Sequence, residues 1–129
     1  MREIKFRLRD RNNRIVGYEK WYLGIWHNDG YWVAKPQWLY SPDNKYWTPK
    51  YIEHRWKDQY TGLKDKNGKE IYEGDFLKYK DAVMQVEWDQ GAFWVDEHID
   101  HYHGLLGDEY FDEIEIIGNI WENPELLNQ

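Results

Sequence analysis

Between Asp96 and His103 the chain reads Asp-Glu-His-Ile-Asp-His-Tyr-His, the densest run of imidazole and carboxylate groups in its 129 residues. His98, Asp100, His101 and His103 are ligand types suited to zinc or nickel, which need three or four donors converging on one point. Their spacing works against that. On an extended segment side chains alternate faces, so His101 and His103 share one side and His98 takes the other. A closed site would need a loop and a further ligand from elsewhere, and we expect a polar loop with no tight metal site. Covalent catalysis has little to draw on: there is no cysteine, and the single serine, Ser41, lies in a Ser-Pro-Asp-Asn stretch with the composition of a turn. Among 24 carboxylates, no pair can be given acid and base roles without a pocket to select it. No catalytic residue and no cofactor is indicated, and the expectation is a protein without enzymatic activity.

The other chemistry-bearing groups are rings and charges. Six of the nine tryptophans (Trp21, Trp26, Trp32, Trp38, Trp47 and Trp56) fall in the first half, with Arg2, Lys5, Arg7, Arg9, Arg11 and Arg14. Aromatic faces interleaved with cations can stack on bases or sugars. The competing explanation is a core built from rings, and the overall charge of −7 opposes phosphate contact. That total hides a division. Residues 1–60 hold 12 Lys and Arg against 7 Asp and Glu, a net of +5, whereas residues 61–129 hold 5 against 17, a net of −12. From Asp81 onward there are 13 acidic residues and no Lys or Arg, a single-signed field able to draw a cationic partner. The residues expected to form such a face are Asp96, Glu97, Asp100, Asp108, Glu109 and Asp112.

What must position these groups follows from composition and periodicity. A mean hydropathy of −1.01 would suit a disordered chain, but 19% aromatic residues reward ordering, and with few aliphatic residues the core must be aromatic, as pleated sheets accommodate well. The length fits one domain over residues 1–129, with two lobes, a basic Trp-rich 1–58 and an acidic 59–129, divided near Trp56 to Thr61 where the charge reverses. The absence of cysteine points to an intracellular home. Residues 1–11 alternate charged with apolar groups, unlike a secretory signal, and no apolar run approaches the roughly 18 residues of a membrane span, so a cytoplasmic protein is expected.

Ile4, Phe6 and Leu8 alternate with Lys5, Arg7 and Arg9, predicting a strand with the apolar set buried and the cations outside. Asp10-Arg11-Asn12-Asn13 turns the chain toward a return strand at Ile15-Val16. Asn28-Asp29-Gly30 marks a second hairpin, and Ser41-Pro42-Asp43-Asn44 a third between Trp38-Leu39-Tyr40 and Tyr46-Trp47. Pro36, Pro42 and Pro49 interrupt any long helix. Asn67-Gly68 carries the signature of a type I′ turn; residues 76–80, 83–88 and 92–95 read as strands; Ile114 and Ile116 alternate with Glu113 and Glu115 ahead of a last strand over residues 117–121. Asn123-Pro124-Glu125 opens one helical turn at most. No internal repeat stands out.

Three blocks resemble a known family: Met1-Arg2-Glu3-Ile4-Lys5-Phe6-Arg7, the stretch Gln59-Tyr60-Thr61-Gly62-Leu63-Lys64-Asp65-Lys66-Asn67-Gly68-Lys69-Glu70-Ile71-Tyr72-Glu73-Gly74-Asp75, and Ile117-Gly118-Asn119-Ile120-Trp121-Glu122-Asn123-Pro124-Glu125-Leu126-Leu127. Together, in this order, they are similar to the YopX proteins of phages and prophages. The resemblance implies a mostly β fold of antiparallel hairpins with a small barrel-like sheet in the C-terminal half, and a gene carried by a phage or an integrated phage in a bacterial host. It implies no activity. Gly62, Gly68 and Gly74 sit where turns need positive φ, and a strand rather than a helix follows the glycines, which argues against phosphate cradling. The function expected is therefore that of a non-enzymatic phage or prophage accessory protein, acting through contacts between its acidic half and a host or phage protein with a basic surface. Nucleic-acid or glycan binding by the basic Trp-rich half is the alternative.

Overall fold

The computed structural model describes residues 3–97, 102–107 and 113–128, and its ordered elements are antiparallel β-strands followed by one short 3-10 turn. The chain divides into two compact units, Glu3–Lys57 and Asp58–Gln129.

In the first unit β1 (Lys5–Arg9) and β5 (Gln37–Ser41) flank β2 (Ile15–Tyr22). The link from β1 to β2 is built on Asp10, whose Oδ1 accepts from the amides of Asn12 (2.8 Å) and Arg14 (3.0 Å), while Asn13 takes φ 62°. A small hairpin of β3 (Ile25–Trp26) and β4 (Trp32–Ala34) turns at Asn28-Asp29-Gly30, as its turn residues predict. The hairpin expected between Trp38-Leu39-Tyr40 and Tyr46-Trp47 does not form. Asp43 Oδ1 accepts from the amides of Lys45 (2.9 Å) and Tyr46 (3.1 Å), winding the chain into a compact turn; β5 takes β2 as its ladder partner, and only the Tyr40–Thr48 bridge remains on its other side. Gly17 is required here for space. A Cβ at that position would lie 2.8 Å from both Ile52 Cδ1 and the Ser41 carbonyl.

The burial expected for β1 is corrected. Leu8 is fully buried, but Ile4 is 51% exposed, and Lys5, Arg7 and Arg9 are all buried. Alternation along the strand survives; what fails is the assumption that one face is wet. Long cationic stems cover apolar surface while their heads find partners. Lys5 Nζ reaches Asn44 Oδ1 at 3.1 Å and the Trp47 ring at 5.5 Å, and Arg9 Nη1 donates to Asn13 Oδ1 at 2.6 Å.

β6 (Trp56–Lys64) carries the chain into the second unit, where it pairs with β7 (Glu70–Tyr72). β8 (Asp75–Tyr79), β9 (Ala82–Asp89), β10 (Ala92–Glu97), β11 (Tyr102–Leu105) and β12 (Glu115–Asn119) form a sheet in the order β11-β10-β9-β8-β12. Its core is Ile71, Leu77, Met84, Val86, Phe93, Val95 and Ile114. The 3-10 turn Pro124–Asn128 closes the chain. The all-β antiparallel class expected from the sequence is present, but the sheet is open rather than closed into a barrel, since β11 and β12 lie at opposite ends of the strand order. The reason is visible at β12. Its outer edge is occupied by the β6–β7 turn: the Ile116 amide donates to Asp65 Oδ2 (3.0 Å) and the Lys66 amide to the Ile114 carbonyl (2.9 Å).

That turn is not type I′. Among its residues Gly68 has positive φ and Asn67 does not, and Asp65 Oδ1 accepts from the amides of Asn67 (2.8 Å) and Lys69 (2.9 Å). It is the same arrangement as at Asp10, so Asp-Arg-Asn-Asn-Arg and Asp-Lys-Asn-Gly-Lys are one turn used twice, a short-range likeness that a search for long repeats passes over. Gln90-Gly91, with φ 50° and 78°, is the two-residue turn of type I′ geometry, joining β9 to β10.

Asp65 is buried and serves three backbone amides. Asp65→Ala, which leaves those donors without their acceptor, is expected to destabilise the protein by about 2–4 kcal/mol, and Asp65→Asn by less because one oxygen remains. Urea denaturation of the three proteins checks the ranking. Gly74 has φ 89°, and a Cβ there would meet Trp121 Nε1 at 2.8 Å, so Gly74→Ala should cost more than the roughly 1–2 kcal/mol of the backbone strain alone. The same denaturation assay reads it.

Candidate functional site

The register of the first sheet decides which side chains meet. Phe6 lies opposite Glu19 and Glu19 opposite Tyr40; in the next row Trp21 lies opposite Trp38. Since alternate residues share a face, Phe6, Glu19, Trp21, Trp38 and Tyr40 all project to one side. Glu19 is a buried carboxylate in an aromatic row, and it is satisfied from two directions. Lys57 Nζ donates to its Oε1 at 2.9 Å, and the Tyr40 hydroxyl donates to the same carboxylate. Burial, then that hydrogen bond, then the negative charge of Glu19, push the Tyr40 phenol up to about 12.

With its head anchored on Glu19, Lys57 stands 4.5 Å from the centre of the Phe6 ring and 5.6 Å from that of Trp38. Trp38 in turn packs edge-on against Trp21, with 5.3 Å between ring centres, and lies 6.4 Å from Phe6. The side chain of Lys57 is about two-fifths exposed, so water screens the ion pair and its worth is mainly geometric: it fixes a cation beside the rings. Trp38 keeps 39% of its surface open. On the other face of the same sheet Lys20 Nζ sits 4.3 Å over Trp47, and nearby in sequence Arg55 lies 5.4 Å from the ring centre of Trp56, itself half exposed.

Glu19 is committed to two donors, Tyr40 holds its proton at any ordinary pH, and Ser41 Oγ is fully buried and donates to Asp43 Oδ1 at 3.0 Å. What the face offers is aromatic surface with one cation, Lys57, fixed beside it.

The residues expected to form an acidic face fare differently. Asp100, Asp108, Glu109 and Asp112 lie outside the described residues. Asp96 and Glu97 are consecutive on β10 and therefore point to opposite sides of the sheet, with Asp96 half-buried and Glu97 buried at 5% exposure. Of the carboxylates near β12, Glu113 is exposed and Glu115 lies 3.5 Å from Lys66, while Ile114 is buried and Ile116 packs on the core, which is the alternation expected there. His98 and His101 are outside the described residues; His103 belongs to β11, opposite Asp96, so the end of the His-rich run is strand rather than loop. Among the described residues no group of three or more His, Asp or Glu is placed to hold a metal ion.

Sequence reasoning missed Glu19, Tyr40 and Lys57 as a group. The one available signal was Gly17, Glu19 and Trp21 falling on one side of β2, a lone acid between a glycine and a ring. Nothing in the spacing announces Lys57, which is brought to it from 38 residues away.

Fold and site together define an all-β protein of two antiparallel units whose first unit bears an aromatic, cation-bordered face. The chain belongs to the YopX family: the model for the YopX protein matches residues 5–128. Among solved structures it is similar to the crystal structure of protein EF1440 from Enterococcus faecalis, at 26% identity over 98% of this chain and 99% of that one, with a TM-score of 0.55. No curated protein matches it. No helix among the described residues is long and apolar enough to cross a membrane.

The Tyr40 environment has a consequence for pH. Its folded value, about 12, lies above the ordinary 10.0, so the folded state holds the proton more tightly than the unfolded one. The stability this provides is fully present below pH 10 and is lost as pH rises toward the folded value. Between about pH 9 and about pH 11.5 the wild-type protein should therefore lose stability faster than Tyr40→Phe in urea denaturation, and parallel slopes would contradict the assignment.

Proposed function

We propose that this protein is a non-enzymatic accessory protein of phage or prophage origin that works in the bacterial cytoplasm by binding, and that its contact surface is the Trp38 face of the first unit. The observation that carries the reading is the Glu19–Lys57 pair, in which a buried carboxylate holds a cation beside the exposed Trp38 ring. The cytoplasmic setting is supported by the cysteine-free composition, and the phage origin by the family to which the chain belongs.

An acidic contact surface in the second unit is the competing version. The net charge there supports it, whereas the burial of Glu97 removes one of its six members from solvent. Co-purification from host cells separates the two. A captured partner should be lost with Trp38→Ala and kept with the double charge reversal Asp108→Lys and Glu109→Lys. The opposite pattern would move the contact surface to the acidic half.

A further inference from the structure

We propose that the Trp38 face takes single-stranded nucleic acid as its partner, an inference resting on the reading of that face as the contact surface. The argument begins with charge. Residues 1–57 hold 12 Lys and Arg against 6 Asp and Glu, a net of +6, while residues 58–129 hold 5 against 18, a net of −13. The negative total therefore comes from residues 58–129, while residues 1–57, which carry the face, are net basic, with Lys5, Arg7 and Arg9 buried. A polyanion is the occupant this charge complements.

The rings specify which polyanion. Trp38 is 39% exposed and is propped edge-on by Trp21, with Lys57 5.6 Å from its ring centre, and the surface it leaves open is what a flat partner would meet. Bases in a duplex already have both faces covered by their neighbours, so a stacking platform selects unpaired ones. Lys57 beside it has three N–H donors, of which Glu19 takes one, and its partly exposed head can give another to a backbone phosphate next to the stacked base. Phe6, half-buried under the same ammonium group, backs the lysine rather than offering a second stacking ring. Glu19 thus positions the cation without touching the ligand.

Trp88 supplies the internal control. It is 38% exposed, close to the 39% of Trp38, and it too packs on a ring, Phe93, at 4.6 Å, but it belongs to the unit of net −13. If exposed tryptophan alone sufficed, the two would behave alike.

The test is fluorescence anisotropy of the full chain with labelled oligothymidylate and oligouridylate of about 12 nucleotides, and with a duplex of equal length, over a salt series. The expected result is binding to single strands in preference to duplex, weakening as salt rises. Trp38→Ala should lower affinity about 5- to 100-fold, from the roughly 1–3 kcal/mol a stacked base contributes. Trp38→Phe, which keeps a stacking ring and guards against a folding artefact, should lose much less, and Trp88→Ala should bind as wild type. A difference between the thymidine and uridine arms tells DNA from RNA preference. No binding at low salt in either arm, a preference for duplex, or equal losses from Trp38→Ala and Trp88→Ala would overturn the proposal. If oligonucleotides fail while a nuclease-treated co-purification still yields a partner that depends on Trp38, the contact face stands and the nucleic acid falls; if nothing depends on Trp38, both fall.

Discussion

The buried carboxylate of Glu19 is the constraint on which the first unit's surface depends. It lies on β2, in the row between Phe6 and Tyr40, and a buried charge in that position is tolerable only when hydrogen-bonded and paired. Tyr40 supplies one donor and Lys57 the other. Satisfying Glu19 has a consequence that hydrophobic packing alone would not have: a lysine that would otherwise wander in solvent is fixed over Phe6 and beside Trp38. The same carboxylate adds to the burial that raises the Tyr40 phenol. Polar satisfaction inside the sheet and electrostatics at its surface are one arrangement.

The second unit repeats the principle with backbone donors in place of side chains. Asp65 accepts from three amides, and Asp75 Oδ2 accepts from the Tyr72 amide at 2.8 Å; both carboxylates are buried. Asn119 does the same near the C-terminus, its Oδ1 accepting from the amides of Trp121 and Glu122. These groups satisfy tight connections that would otherwise leave buried donors unmet, which is why the block from Gln59 to Asp75 is so dense in Asp, Asn and Gly. Its chemistry is structural throughout. The second sheet's core is aliphatic apart from Met84 and Phe93, not aromatic as the composition leads one to expect, and its turns are held by carboxylates.

Much of this architecture was legible because it rests on local rules. Alternation located β1 and the approach to β12, and turn residues located the bends at Asp10 and Asn28. Errors arose where a side chain's fate is decided by partners distant in sequence. Alternation at Ile4 to Arg9 gives faces but not exposure, and the cations of β1 are buried because Asn44, Trp47 and Asn13 receive them. Tyr46-Trp47 resembles a strand, but Asp43 winds its amides into a turn first. At the edge of the open sheet the β6–β7 turn is bonded to the β12 region through Ile116 to Asp65 and Lys66 to Ile114, contacts across the sequence that no local pattern contains. The candidate site was half legible for the same reason: tryptophan and cation density in the first half is a matter of composition, whereas bringing Lys57 to Glu19 is a matter of fold.

The account turns on the claim that the basic aromatic unit, and not the acidic one, meets the partner. The nine tryptophan side-chain N–H groups give separate reporters in a two-dimensional nitrogen–proton spectrum, spread over both units. Titrating oligothymidylate into the labelled full chain should shift the Trp38 and Trp21 signals while Trp88 and Trp94 stay in place. Shifts confined to Trp88 and Trp94, with Trp38 unmoved, would contradict it.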